Sequence, residues 1–149
     1  MAALREILTE PSVRRRVVDD AARLVEDEVR SKSGMSGLAI KAGFKAFKKV
    51  KPGALQMAVD GLLDEFSDAI DPYYQDHVES GRGGSCGSTL NPRASDVANA
   101  LLAITDRRAK RFEHKLIKKT YEKLRPTGVK NTAEAVPGIS RLIDKYTRD

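Results

Sequence analysis

The chain has 149 residues, of which 40% are hydrophobic and 32% charged, so it can bury a core of its own without disulfides or a structural metal. Tryptophan is absent and aromatic residues make up only 5%, a composition that favours helices over sheets. The net charge of +6 suggests a polyanionic partner. A single cysteine excludes an intramolecular disulfide, and the sequence has no apolar stretch typical of a secretory signal or a transmembrane segment. We therefore predict a cytoplasmic protein.

The first fifty residues predict a short helical turn followed by two amphipathic helices. Leu4 and Leu8 lie at helical spacing. Pro11 suits the first turn of a longer helix, and Gly34 suits its end. A second long helix is predicted from about residue 37 to residue 50, because apolar and basic side chains recur there with helical periodicity.

The next predicted helix occupies residues 52–79 and is strongly acidic, with seven carboxylates and no lysine or arginine. Asp60, Asp64 and Asp68 follow one another at spacings of four and therefore share one helix face. Three carboxylates in a row could attract a cation, but one helix cannot surround an ion with oxygen ligands. We interpret the row as a solvated acidic face.

A proline and a run of glycines interrupt the middle of the chain. Pro72, which follows Asp71, predicts a stop or a kink in the acidic helix. Residues 80–90 contain four glycines among small and polar residues. This composition predicts a flexible loop.

The last third of the chain predicts further helices. Asn91 and Pro92 form a suitable helix cap and first turn, and apolar residues then recur with helical periodicity to residue 124. Whether this helix pauses near Thr105 stays open. A final helix is predicted around residues 136–146, with Pro137 near its start or kinking it. The whole pattern predicts an all-α fold, an irregular bundle of about six helices in a single domain.

The glycine-rich loop contains one short pattern known from catalysis. Residues 83–87 match G-x-S-x-G, the serine nucleophile turn of hydrolases, but the strand that should precede it is missing. Cys86 could act as a nucleophile if His77 or His114 approached it, yet nothing in the spacing enforces that. We predict an unreactive surface cysteine, no catalytic residue, no cofactor and no metal site.

The strongest functional pattern is the basic side of the helix at residues 37–50. Its lysines lie opposite Ile40, Phe44 and Phe47, a layout typical of helices that rest on anionic membranes. The same layout also fits a bundle helix whose phenylalanines belong to the core. A second basic run begins at Arg107. The predicted polyanion-binding residues are Lys41, Lys45, Lys48, Lys49, Arg107, Arg108, Lys110 and Arg111.

Two alternatives to a free basic surface stay open. The acidic helix at residues 52–79 could lie against either basic block and neutralise it. Residues 29–43 also read loosely as a helix-turn-helix whose second helix would place lysines on DNA phosphates. Arg30 and Ser33 do not fit that motif, and few side chains suited to reading base edges are present.

Residues 36–53 read SGLAIKAGFKAFKKVKPG, and residues 105–108 read TDRR. With these segments the chain resembles a family of small uncharacterised bacterial helical proteins, over most of its length. The resemblance implies a helical fold and no established activity or site residue. We predict a non-enzymatic module that binds a protein or an anionic surface through its basic helix faces. Weakly specific nucleic-acid binding is the alternative, and homo-oligomerisation stays open.

Overall fold

The computed structural model describes residues 2–148, and within this range the protein contains helices and no strand. Six helices have ten or more residues, and two shorter ones accompany them. This architecture confirms the predicted all-α class and the predicted number of long helices. In chain order they are α1 (Leu4–Leu8), α2 (Arg14–Ser31), α3 (Gly34–Lys48), α4 (Ala54–Ser80), α5 (Gly87–Leu90), α6 (Ala94–Ala109), α7 (Lys115–Leu124) and α8 (Gly128–Thr147).

The hydrophobic core is built by six of the eight helices. Helix α1 packs on α4, and α8 packs on α6 and α2. Leu4, Val17, Val97 and Val136 have no solvent-exposed surface at all. No residue of the core cluster belongs to α3 or α7, as far as the structure describes these helices. The core is completed by Leu8, Val18, Leu63, Ile70, Cys86, Leu90, Leu101 and Ile143.

Helices α3 and α7 pack against each other and form an outer layer beside this core. The only buried residue of α3 is Gly37, and α7 has none in the range described. Close packing between the two depends on Gly43, because a Cβ atom there would lie 2.6 Å from Cγ2 of Thr120. Phe44 and Phe47 are half-buried in this layer and are not part of the core cluster.

The acidic face of α4 is ion-paired with arginines from the start of the chain. Arg14 on α2 lies 2.8 Å from both Asp60 and Asp64, and Arg5 on α1 lies 2.8 Å from Asp68. The row is solvent-exposed, as interpreted from the sequence, but it is also ion-paired. Arginines about 50 to 60 residues away in sequence neutralise it, and neither predicted basic block does.

A stop or a kink was predicted at Pro72, and the stop was wrong, because helix α4 continues through this residue. Pro72 is exposed, whereas Ile70 and His77 on either side of it are buried. Packing of the inner face therefore holds the helix together across a residue that lacks an N–H group. Beyond Ser80, the loop occupies residues 81–86. The predicted loop at residues 80–90 was therefore too long, because Gly87–Leu90 form α5, which returns the chain to the core. The flexibility of the loop stays a prediction.

Several boundaries in the last third differ from expectation. Asn91 does not cap α6, because its side-chain oxygen accepts a hydrogen bond from Ser140 at 3.0 Å instead. The open question about a pause is answered by residues 110–114, which separate α6 from α7. Pro137 lies in the interior of α8 rather than near its start. Between residues 2 and 148, no helix combines the length and apolar composition that a bilayer span requires.

Candidate functional site

The four lysines predicted on α3 do lie together on its outer side, and we call them the lysine face (Lys41, Lys45, Lys48 and Lys49). All four are exposed. Among residues 2–148, only Lys48 of this set takes part in an ion pair. Three ammonium groups therefore face solvent without a carboxylate partner in the described structure.

Lys48 is placed differently from its neighbours. Its Nζ atom lies 3.7 Å from a carboxylate oxygen of Glu26 on α2 and 5.1 Å from the centre of the Phe44 ring. A cation over an aromatic face is attracted by the ring quadrupole. Lys48 thus ties α3 to α2 and borders an open cleft of about 570 Å³ between them. The cleft is lined by the four lysines with Phe44, Glu26, Val29 and Arg30.

Two large apolar side chains are exposed beside the lysine face, and we call them the apolar tip. Met35 is 85% exposed and Leu38 is 65% exposed. Leu38 precedes Lys41 by one helical turn, so the tip continues into the lysine face. Sequence reasoning assigned Met35 to a turn and did not use Leu38. Their spacing relative to the lysines was the available signal.

The second predicted basic run is largely occupied within the molecule. Arg107 lies 3.5 Å from Glu65 of α4, and Arg108 pairs with the same carboxylate. Arg108 also donates a hydrogen bond to the carbonyl of Gly61 at 2.8 Å. The pKa of Glu65 is held below its usual value, chiefly by the hydrogen bond from Arg108. The acidic helix therefore covers this block in part, as one of the two alternatives expected.

The two basic groups are not brought into one site. Lys110 and Arg111 follow α6, are exposed, and make no ion pair with any residue in the described range. Within residues 2–148, no hydrogen bond or ion pair joins them to the lysine face. The candidate site is therefore the outer side of α3, and the run at residues 107–111 stays a separate prediction.

Cys86 is only 1% exposed, so the prediction of a surface cysteine was wrong. Burial raises the pKa of its thiol to about 12, and the nearby carboxylate of Asp144 acts in the same direction. The backbone N–H of Cys86 donates to Asp144 at 2.9 Å, and its Sγ lies 3.5 Å from the carbonyl oxygen of Ser140. Packing against α8 explains why this residue, which follows a glycine-rich segment, is buried.

The other candidate catalytic groups near this segment, Ser85 and His77, make hydrogen bonds within the fold. The Ser85 hydroxyl donates to Asp144. The ring nitrogens of His77 lie 3.0 Å from Oγ1 of Thr89 and 3.3 Å from the carbonyl of Gly84. His114 lies at the start of α7, in the outer layer. Among the residues that the structure describes, no group of three or more His, Cys, Asp or Glu side chains is arranged to hold a metal ion.

Comparison with known protein families gives a match over most of the chain. A family described as a family of unknown function, DUF6918, matches residues 4–147. This match confirms the resemblance to an uncharacterised family. No curated protein and no solved structure matches the chain.

Proposed function

The chain belongs to DUF6918, a family of unknown function. From its surface charges we propose that it is a non-enzymatic module that binds an anionic surface through α3. The observation that carries this proposal is the lysine face. Lys41, Lys45 and Lys49 lie side by side on one exposed helix surface, and no carboxylate pairs with them in the described part of the chain.

The distribution of charge supports the proposal more strongly than the net charge does. Residues 34–51 contain five lysines and no acidic residue. The acidic row of α4 is engaged by Arg5 and Arg14. Glu26 of α2 lines the same cleft as the lysines, and within the described structure it pairs with Lys48 alone among them. The positive field of α3 is therefore left to attract an external polyanion.

The environment of Cys86, Ser85 and His77 supports a non-enzymatic role. A thiol whose pKa is raised to about 12 is almost entirely protonated at neutral pH, so Cys86 is a poor nucleophile. Asp144 accepts the hydroxyl proton of Ser85 in a hydrogen bond, and His77 is bonded elsewhere. A serine nucleophile needs a base strong enough to take up its hydroxyl proton, and the carboxylate of Asp144, whose pKa lies below its usual value, is a weak one.

We place this function in the cytoplasm, because the single buried thiol suits a reducing compartment. There the lysine face would meet phosphate-bearing surfaces, either membranes or nucleic acids. Weakly specific nucleic-acid binding, the alternative predicted from the same helices, would use the same lysines. An interaction with an acidic protein partner and self-association also stay open.

Heparin chromatography tests the proposal directly. The protein should elute at a clearly higher salt concentration than a small basic protein of similar net charge, because its cations are concentrated on one helix. Lys41→Glu with Lys45→Glu should lower that salt concentration substantially. The matched control is Arg16→Glu with Arg141→Glu, which makes the same charge change at exposed positions of α2 and α8.

Circular dichroism would check that both double variants keep their helix content. The proposal predicts that the α3 variant elutes well before the control variant. Equal elution of the two would contradict it, since binding would then depend on net charge alone. Elution of the wild-type protein no later than the small basic protein would contradict it as well.

A further inference from the structure

Resting on this proposed function, we propose that the anionic surface is a lipid bilayer, into which the apolar tip inserts while the lysine face contacts the lipid headgroups. The juxtaposition that points to it is Met35 and Leu38, both exposed, with Lys41 one helical turn beyond Leu38. No helix of the described chain spans a membrane, so the contact is peripheral.

The apolar tip lies at a corner of the fold. Gly34 has a φ of +74°, a conformation open to glycine, and it turns the chain between α2 and α3. Met35 follows directly and is the most exposed large apolar side chain described, at 85%. Leu38 lies on the next turn of the same helix. A single exposed apolar side chain is ordinary on a protein surface. Two of them on successive turns at a corner of the fold can be buried together in an apolar environment outside the protein.

The charged side chains beside the apolar tip indicate that this apolar environment is a lipid bilayer. Anionic headgroups complement Lys41, Lys45 and Lys49, and lysine stems can extend so that their ammonium groups stay at the headgroup level. A nucleic acid would also attract these lysines through its phosphates. It would give no reason for Met35 and Leu38 to be exposed on the same helix. A bilayer accounts for the cations and the apolar side chains at once.

The inner side of α3 adds to the case. Ile40, Phe44 and Phe47 are only half-buried, and none of them belongs to the core cluster. A helix that depends little on the core can settle into an interface at small cost to the rest of the fold. The tip, the lysine face and these side chains therefore belong to one amphipathic helix at the periphery of the protein.

A tryptophan reporter tests insertion, because the wild-type chain has no tryptophan. Met35→Trp would report from the tip. Met57→Trp is the matched control, since Met57 is also an exposed methionine (54%) but lies on α4, beyond the other end of α3. Helix α3 is roughly 20 Å long, so the two positions are well separated.

Vesicles of phosphatidylcholine mixed with phosphatidylglycerol are the probe, and vesicles of phosphatidylcholine alone are the reference. Emission of Met35→Trp should shift to shorter wavelength with the mixed vesicles and be quenched by brominated lipid. Emission of Met57→Trp should change little. An unchanged spectrum for Met35→Trp, or an equal shift at both positions, would overturn the proposal.

A second variant separates failure of this inference from failure of the proposed function. Met35→Ser with Leu38→Ser should weaken binding to the mixed vesicles by about tenfold or more, because apolar burial is lost. Its elution from heparin should match that of the wild type, because all the lysines remain. Equal vesicle binding by the variant would overturn insertion and leave the lysine face intact. If the wild-type protein showed no charge-dependent binding to heparin, the proposed function itself would be refuted.

Discussion

The carboxylate of Asp106 on α6 accepts hydrogen bonds from the guanidinium group of Arg125, directly after α7, at 2.8 Å from Nε and 3.0 Å from Nη2. Tyr121 of α7 donates its hydroxyl proton to the same carboxylate. These hydrogen bonds lower the pKa of Asp106, the Arg125 bond most strongly. Because α7 has no buried residue in the described range, this polar contact is a main attachment of α7 to the rest of the fold.

Asp106→Asn should therefore loosen α7 selectively. The amide cannot supply a charged acceptor to Arg125 and Tyr121, so amide hydrogens of α7 should exchange faster while those of α6 and α8 keep their protection. The melting temperature should fall by a few degrees at most, because the contact is only partly buried. Hydrogen exchange measured by mass spectrometry checks this. Asp96→Asn, an exposed site at the other end of α6, is the control, and equal exchange in α7 for both variants would refute the idea.

Gly43 should be required for the packing of α3 on α7. In a helix interior, glycine to alanine normally stabilises by roughly 0.5–1 kcal/mol. At Gly43 the new methyl group would lie 2.6 Å from Cγ2 of Thr120, so Gly43→Ala should destabilise the protein instead. At Gly61 of α4 the nearest atom would be 3.9 Å away, so Gly61→Ala should follow the normal rule.

Urea denaturation of both variants measures the two free energies of unfolding. The account predicts opposite signs for the two substitutions. A stabilising effect of Gly43→Ala equal to that of Gly61→Ala would show that α3 and α7 are not in close contact.

Stability should fall in acid because several carboxylates are ion-paired. The pKa of Asp64 is lowered below its usual value, chiefly by the hydrogen bond from Arg14. A folded-state pKa below the unfolded one gives stability that is complete above the unfolded value and is lost as the pH falls through the folded value. The melting temperature should thus drop between about pH 5 and pH 2.

Asp64→Asn should lower the melting temperature at neutral pH and reduce its change in acid, because the pair with Arg14 is already lost. Thermal melts followed by circular dichroism across this pH range provide the measurement. Glu122→Gln on α7 is the control, an exposed position. An acid response of Asp64→Asn identical to that of this control would argue against the contribution assigned to the ion pair.

Cys86 should react slowly with thiol reagents in the folded protein. At pH 8 a thiol with a pKa of about 12 has a thiolate fraction roughly a thousandfold below that of an ordinary cysteine, and access is blocked by burial as well. Reaction with Ellman's reagent should become fast only after unfolding in guanidinium chloride. A fast reaction in the native protein would contradict both the burial and the raised pKa.

Most of the fold could be predicted from the local spacing of apolar and charged residues. The apolar periodicity placed Leu4 and Leu8 in the core, and the spacing of the lysines placed Lys41 and Lys45 on the outer side of α3. The predictions that were wrong concern contacts between residues far apart in the sequence. Burial of Cys86 depends on packing against α8, more than fifty residues later, so no local pattern in a glycine-rich segment announces it. Pro72 shows how packing on one face overrides a local helix breaker.

In the candidate site, too, features that depend on local spacing could be predicted, whereas contacts between distant residues could not. The lysine face could be predicted, because a helix surface depends on spacing alone. The engagement of Arg107 and Arg108 by Glu65 could not, since any of seven carboxylates on residues 52–79 was an available partner. The exposure of Leu38 could have been inferred from its position one turn before Lys41 on the lysine side of the helix. It was missed because an apolar residue in an amphipathic helix is expected to face inward.

Co-sedimentation with vesicles that contain phosphatidylglycerol tests the central claim most directly. Wild-type protein, Lys41→Glu with Lys45→Glu, and the control Arg16→Glu with Arg141→Glu would be compared at increasing salt. The account predicts that the wild type and the control bind and that added salt releases both, while the α3 variant binds far less at every salt concentration. Equal binding of the two double variants, or wild-type binding that is the same with phosphatidylcholine alone, would contradict it.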